Sequence, residues 1–141
     1  KDDSKHTYQW IGNFEVGTVE VVSQTDHDLI LKKVGEDDIG NRLLVRVLQA
    51  DGLSAAPELV NEVIGAVADT LNTGKTVSQI RITAKGVLAP NFKVLLYPHT
   101  VGSPLPHTQL DGNALQVNWD DRQDQFLFKQ DDSGRTHIEL K

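Results

Sequence analysis

Histidine, tyrosine and tryptophan side chains share one face of an N-terminal segment that could bind sugars. The segment "HTYQWIGNFEV" alternates, which places His6, Tyr8 and Trp10 on the same side of a predicted strand. Aromatic rings stack on flat apolar surfaces, and an imidazole can hydrogen-bond to hydroxyl groups, so this face is a candidate carbohydrate platform. The alternative, which we favour for this strand, is that its rings supply the large apolar area that a small core needs.

A second candidate stretch, "FKVLLYPHTVGSPLP", carries Tyr97 and His99. Apolar residues on both faces of "FKVLLYP" predict a central strand that is covered on both sides. Because Pro98 has no N–H to donate, we predict that this strand ends there and that a proline-stiffened loop follows. His99 could therefore contact a ligand or simply close a strand.

The spacing of the histidines gives little support for a metal site. His99 and His107 flank the proline-rich loop, but they lack the i, i+4 spacing of a helical zinc pair. No carboxylate follows them until Asp111. His27 and His137 lie in a turn and in the last predicted strand, where surface positions are expected. We therefore predict no metal and no cofactor.

Near the C-terminal end, Trp119 is followed by an acidic cluster. Asp120, Asp121 and Asp124 could offer oxygen ligands to calcium, but the D-x-D-x-D-G loop pattern is absent. A charged hairpin turn is the simpler interpretation. The motif G-x-S-x-G is also absent, so the sequence contains no signal for a serine nucleophile.

Composition excludes several classes of function. The formal net charge is −6 and Lys and Arg form no cluster, which argues against a general nucleic-acid partner. No apolar run approaches the about 20 residues of a membrane-spanning helix, so we predict no membrane partner. The chain has no cysteine, which excludes disulfides, cysteine zinc sites and thiol catalysis.

Short apolar stretches separated by turn residues predict an all-β fold with little helix. We expect a two-sheet antiparallel β-sandwich, jelly-roll-like, that forms a single domain over residues 1–141. The segment "PELVNEVIGAVADTLNTG" fits helical spacing and strand composition equally well. The last third of the chain predicts a meander of hairpins.

The early "KHTYQWIGNF", the late "FKVLLYPHTVGSPLP" and the closing "DQFLF" together resemble the C-terminal β-sandwich of heparinase II/III-type polysaccharide lyases. His6, Tyr8 and Trp10 match the early motif of that family. The run from Leu95 to His99 matches the late one, and Phe126 and Phe128 fall where closing strands are expected. The resemblance also favours strand over helix for "PELVNEV".

This resemblance implies a non-catalytic module from the end of a longer chain, secreted or periplasmic. In that family an α/α-toroid carries most catalytic residues, and no toroid is present here. The implied partners are the catalytic toroid of the same parent chain and, as a second candidate, an acidic polysaccharide. The alternatives are a carbohydrate-binding module with exposed aromatics and an adhesion or assembly module. We predict no catalytic residue, and the candidate carbohydrate-binding residues are His6, Tyr8, Trp10, Tyr97, His99 and Trp119.

Overall fold

The computed structural model describes residues 4–35, 39–64 and 74–141. In this part of the chain eleven antiparallel strands form three sheets and no helix occurs, which confirms the all-β sandwich-like fold. It follows that no described helix could cross a membrane. Residue contacts divide the chain into two compact units, unit 1 (residues 1–101) and unit 2 (residues 102–141). The assignment of one domain to the whole chain stays a prediction.

Unit 1 contains two antiparallel sheets. The strands are β1 (His6–Glu15), β2 (Val19–Gln24), β3 (Asp28–Lys33), β4 (Asn41–Gln49), β5 (Glu58–Ile64), β6 (Lys75–Val87) and β7 (Lys93–Thr100). Sheet A has the strand order β1-β6-β5, and sheet B has the order β2-β3-β4-β7.

Alternation in the central strands builds the core of unit 1. In β6, Ile80 and Ile82 point inward and are almost fully buried, and in β4 Val45 and Val47 do the same. Side chains on one face of a strand recur every second residue, so each strand adds a short apolar row to the space between the sheets. The core cluster consists of Leu29, Leu31, Val45, Val47, Ile80 and Ile82. Because its members come from both sheets, unit 1 is a β-sandwich.

Two expectations for the late motif are wrong. Strand β7 lies at the edge of sheet B, not at its centre, because β4 is the only described strand with which it pairs. The strand also continues past Pro98, which lies opposite Leu43, and it ends at Thr100. An edge strand tolerates proline because the missing N–H is not needed on the side that has no neighbouring strand.

The segment with ambiguous periodicity begins as a strand. Residues Glu58–Ile64 form β5 and pair with β6, in agreement with the family resemblance. The rest of the ambiguous segment, residues 65–73, lies outside the described residues. Burial of Leu59 against the core explains the outcome, because Leu59 lies directly opposite Ile80 in the register.

Unit 2 is a four-stranded antiparallel meander, sheet C, with the order β11-β10-β9-β8. Its strands are β8 (His107–Asp111), β9 (Ala114–Asn118), β10 (Gln123–Gln130) and β11 (Thr136–Leu140). The closing hairpins were expected, whereas β8 was not, because its sequence HTQLD has only one large apolar residue. One face of sheet C carries the buried Leu115 and Val117.

Candidate carbohydrate-binding residues

Strand β1 directs its aromatic rings towards the core of unit 1. Tyr8, Trp10 and Phe14 alternate with exposed residues, and Trp10 lies directly opposite Ile82. Trp10 and Phe14 pack against the core cluster. The packing interpretation of this strand is therefore the one that its geometry favours, because these rings already have an apolar surface to cover.

The other two members of the early motif interact at the end of the same strand. The rings of His6 and Tyr8 meet edge to face, with centroids 6.1 Å apart and planes at 85°. The Tyr8 hydroxyl donates a hydrogen bond of 2.7 Å to the carbonyl oxygen of Leu88. This bond ties the start of β1 to the segment that follows β6, which is a structural use of the phenol. His6 itself is exposed.

On strand β7, Tyr97 and His99 lie on the face of sheet B that points away from the core cluster. Their rings are stacked, with centroids 5.8 Å apart and planes at 8°. The Nδ1 atom of His99 lies 3.1 Å from the carbonyl oxygen of Thr100, an acceptor to which an Nδ1–H can donate. The Nε2 atom is buried and has no hydrogen-bond partner in the described part of the chain.

In the register of sheet B, Leu44 lies between Ile30 and Tyr97 on this outer face. Leu44 is fully buried although it does not belong to the core cluster between the sheets. Both faces of β4 are therefore apolar and buried, so β4 has the character of a covered central strand that the sequence predicted for β7.

Trp119 lies in unit 2, at the loop between β9 and β10. Its backbone N–H donates a 2.8 Å hydrogen bond to the carbonyl oxygen of Arg122, which closes the turn. Its indole Nε1–H donates a 2.6 Å hydrogen bond to the Oδ2 atom of Asp124. The guanidinium carbon of Arg122 lies 5.4 Å from the centroid of the Trp119 ring, and Arg122 Nε is 3.3 Å from the same Oδ2 atom of Asp124.

Sequence reasoning missed the two polar partners of Trp119. It treated Asp124 as part of a possible calcium cluster, and it gave Arg122 no role. The length of the loop could have indicated these partners. Because Asn118 pairs with Gln123, residues 119 and 122, which come next on each side of the loop, lie opposite each other. The same register places Asp124 diagonally across from Trp119.

The six candidate residues belong to different elements. Sheet A brings His6 and Tyr8 together and also carries Trp10, sheet B brings Tyr97 and His99 together, and Trp119 belongs to unit 2. Within residues 4–35, 39–64 and 74–141, no three His, Asp or Glu side chains lie close enough together to hold a metal ion. His137, on β11, has its Nε2 atom 3.6 Å from the Oε1 atom of Glu139, and both side chains are exposed.

Comparison with known proteins identifies no relative. No family model, no curated protein and no solved structure matches the chain.

Proposed function

We propose that this chain is a non-catalytic β-sandwich module of a heparinase II/III-like polysaccharide lyase. In this proposal the module braces the α/α-toroid catalytic domain of its parent chain and borders the cleft that holds an acidic polysaccharide. The parent would act outside the cytoplasm, in the periplasm or after secretion. The proposal rests on the resemblance of "KHTYQWIGNF", "FKVLLYPHTVGSPLP" and "DQFLF" to motifs of that family. It also rests on the packing of the first of these segments in the core of unit 1.

The single observation that carries the proposal is the packing of the early motif. Trp10 contacts the core cluster, and Tyr8 uses its hydroxyl to hold the Leu88 carbonyl oxygen. A motif whose rings join two sheets is a signature of a sandwich scaffold, because aromatic side chains contribute large buried areas to small cores. This use of the motif supports a module that provides rigidity.

The late motif points the same way. β-Elimination from a uronate requires a base and a group that neutralises the carboxylate, and both must converge on one sugar. Tyr97 and His99 are instead stacked on each other along one strand, and Nε2 of His99 is buried. A histidine nitrogen in that position is poorly placed to take a proton from a polymer.

A turnover assay tests the non-catalytic part of the proposal. The chain is incubated with heparan sulfate, alginate and chondroitin while the absorbance of unsaturated uronate is followed. We expect no increase above the buffer control. An increase that His99→Ala removes, with the circular dichroism spectrum unchanged, would make the chain an enzyme and refute the proposal.

The relation to a lyase is tested on the parent gene. We expect a helical region of several hundred residues upstream, which is the size of a large domain or two. Expressed with and without this module, that region should melt at a higher temperature when the module is attached, because an interdomain interface stabilises both partners. A parent gene without a helical domain would contradict the proposal.

A further inference from the structure

We propose that the β9–β10 turn of unit 2 is a binding subsite for an uncharged sugar ring, with Trp119 as its stacking surface. The subsite consists of Trp119, Arg122 and Asp124, together with the exposed carboxylates of Asp120 and Asp121 at the tip. This inference does not depend on a lyase parent, because it concerns a side-chain cluster within unit 2 alone.

The turn holds the indole ring in a fixed orientation. The Trp119 N–H to Arg122 carbonyl hydrogen bond fixes the backbone, and the 2.6 Å bond from the indole to Asp124 fixes the ring. Asp124 is the second residue of β10, so the backbone that carries its carboxylate belongs to a strand and not to the loop. A ring that is already oriented loses little conformational freedom when a ligand stacks on it, which favours binding.

Arg122 shows that the half-buried Trp119 ring accepts a flat partner on its accessible part. Its guanidinium lies over the indole at 5.4 Å, and its side chain is 65% exposed. An exposed cation–π contact is weak, so a sugar ring can displace the guanidinium from the indole at small cost. The displaced guanidinium keeps its N–H donors close to the sugar, where they can bind hydroxyl oxygens.

The local charge selects an uncharged sugar. Between residues 119 and 124 the turn has three carboxylates, on Asp120, Asp121 and Asp124, and one guanidinium, so its formal charge is −2. Uronates and sulfated sugars are repelled by this charge. Carboxylates accept hydrogen bonds from hydroxyl groups, which every neutral hexose offers in number. Neutral hexoses and N-acetylhexosamines are therefore the ligands that the chemistry fits.

Fluorescence can separate this site from the core, because the chain has only two tryptophans, Trp10 and Trp119. Trp10→Phe leaves Trp119 as the sole reporter, and Trp119→Phe leaves Trp10. Each variant and the unmodified chain are titrated with cellohexaose, maltohexaose, N-acetylchitohexaose and an alginate hexamer. We expect a saturable change with a neutral oligosaccharide in the unmodified chain and in Trp10→Phe, none in Trp119→Phe, and none with the alginate hexamer.

Affinity electrophoresis in gels that contain the matching polysaccharide gives a second readout, which does not depend on Trp10→Phe folding well. Trp119→Ala should weaken retardation about tenfold, the usual value of one aromatic contact. Arg135→Ala, which removes an exposed guanidinium from the β10–β11 turn at the opposite end of β10, should leave it unchanged. Retardation that survives Trp119→Ala, or no response to any neutral sugar, would overturn the inference. Preference for the alginate hexamer would do so as well.

The two proposals can fail separately. A lyase parent with no neutral-sugar binding at the turn would refute only the subsite. The opposite result is also distinguishable. If Trp119→Ala abolishes neutral-sugar binding but the parent gene encodes no toroid, the subsite is supported and the lyase assignment is refuted.

Discussion

The two tryptophans occupy contrasting surroundings, one in each unit. Trp10 lies in β1 and packs against Ile82 and its neighbours between two sheets. Trp119 lies at a turn and is held by a carboxylate and a guanidinium. The first ring is fixed by apolar contacts that depend on distant strands, whereas the second is fixed by residues three and five positions away. Both rings are half-buried, so residue type and burial alone do not separate a ring packed between sheets from a ring held at a turn. The residues around each ring do separate them.

Replacing each tryptophan by alanine should give the largest effect and the clearest contrast. Trp10→Ala is expected to lower the free energy of unfolding by about 3 kcal/mol, because it leaves a cavity against the core cluster. Trp119→Ala should lower it by about 1 kcal/mol, since it removes one hydrogen bond and a weak cation–π contact. Urea denaturation monitored by far-ultraviolet circular dichroism measures both values. Equal losses would show that the turn contributes to stability as much as the core does.

A pair of glycines sharpens the comparison at the level of the backbone. Gly52 has a φ of +71°, and an added Cβ atom would lie 2.6 Å from the Lys85 carbonyl oxygen. The Lys85 N–H also donates to the Gly52 carbonyl oxygen at 2.8 Å, so the two segments cannot easily separate. Gly134, in unit 2, has a φ of +79° and open space around the added atom.

Gly52→Ala should therefore cost about 2 kcal/mol, from backbone strain and overpacking together. Gly134→Ala should cost about 1 kcal/mol, from strain alone. Thermal unfolding of the two variants beside the unmodified chain gives the difference. If Gly134→Ala proved the more harmful, the close approach at Gly52 would not be a constraint on the fold.

The smallest expected effect is a pH dependence in the β10–β11 turn. The Oδ1 atom of Asp131 accepts hydrogen bonds from the Ser133 hydroxyl at 2.6 Å and from the Arg135 N–H at 2.9 Å. These bonds favour the ionised form, so the pKa of Asp131 is lowered, chiefly by the Ser133 hydroxyl. The resulting stabilisation is present above the pKa of the unfolded chain, about 3.9, and is lost as the pH falls through the lower folded value.

Amide hydrogen exchange at Arg135 reports this loss directly. Protection of the Arg135 amide should fall as the pH is lowered from about 4. The pKa of Glu139 is also lowered, mainly by its bond to Lys129, so other amides of the hairpin will respond to acid too. The Asp131→Asn variant should remove the pH dependence at Arg135 and leave the Glu139 component in place. If the pH dependence of exchange at Arg135 were unchanged in Asp131→Asn, a group other than Asp131 would be its cause.

The local pattern of apolar and polar residues was sufficient to locate most strands, but it did not predict how the strands are arranged in sheets. Alternation predicted β1 correctly because its more buried side chains fall on every second residue, which imposes a period of two on the sequence. Strand β8 was missed because, with Leu110 as its single large apolar residue, it leaves almost no hydrophobic pattern. For β7 the apolar residues were recognised, but its position at the sheet edge depends on which strand pairs with it.

The sequence by itself determined the all-β class and favoured the inward direction of Trp10, because alternating side chains indicate strands and exposing large rings is costly. Only the tertiary structure decided that β7 lies at an edge, and that Pro98 is tolerated within it. It also decided which polar groups surround each ring, such as Asp124 beside Trp119. The physical reason is that strand pairing depends on contacts between residues far apart in the chain, and a local pattern records burial but not the partner that provides it.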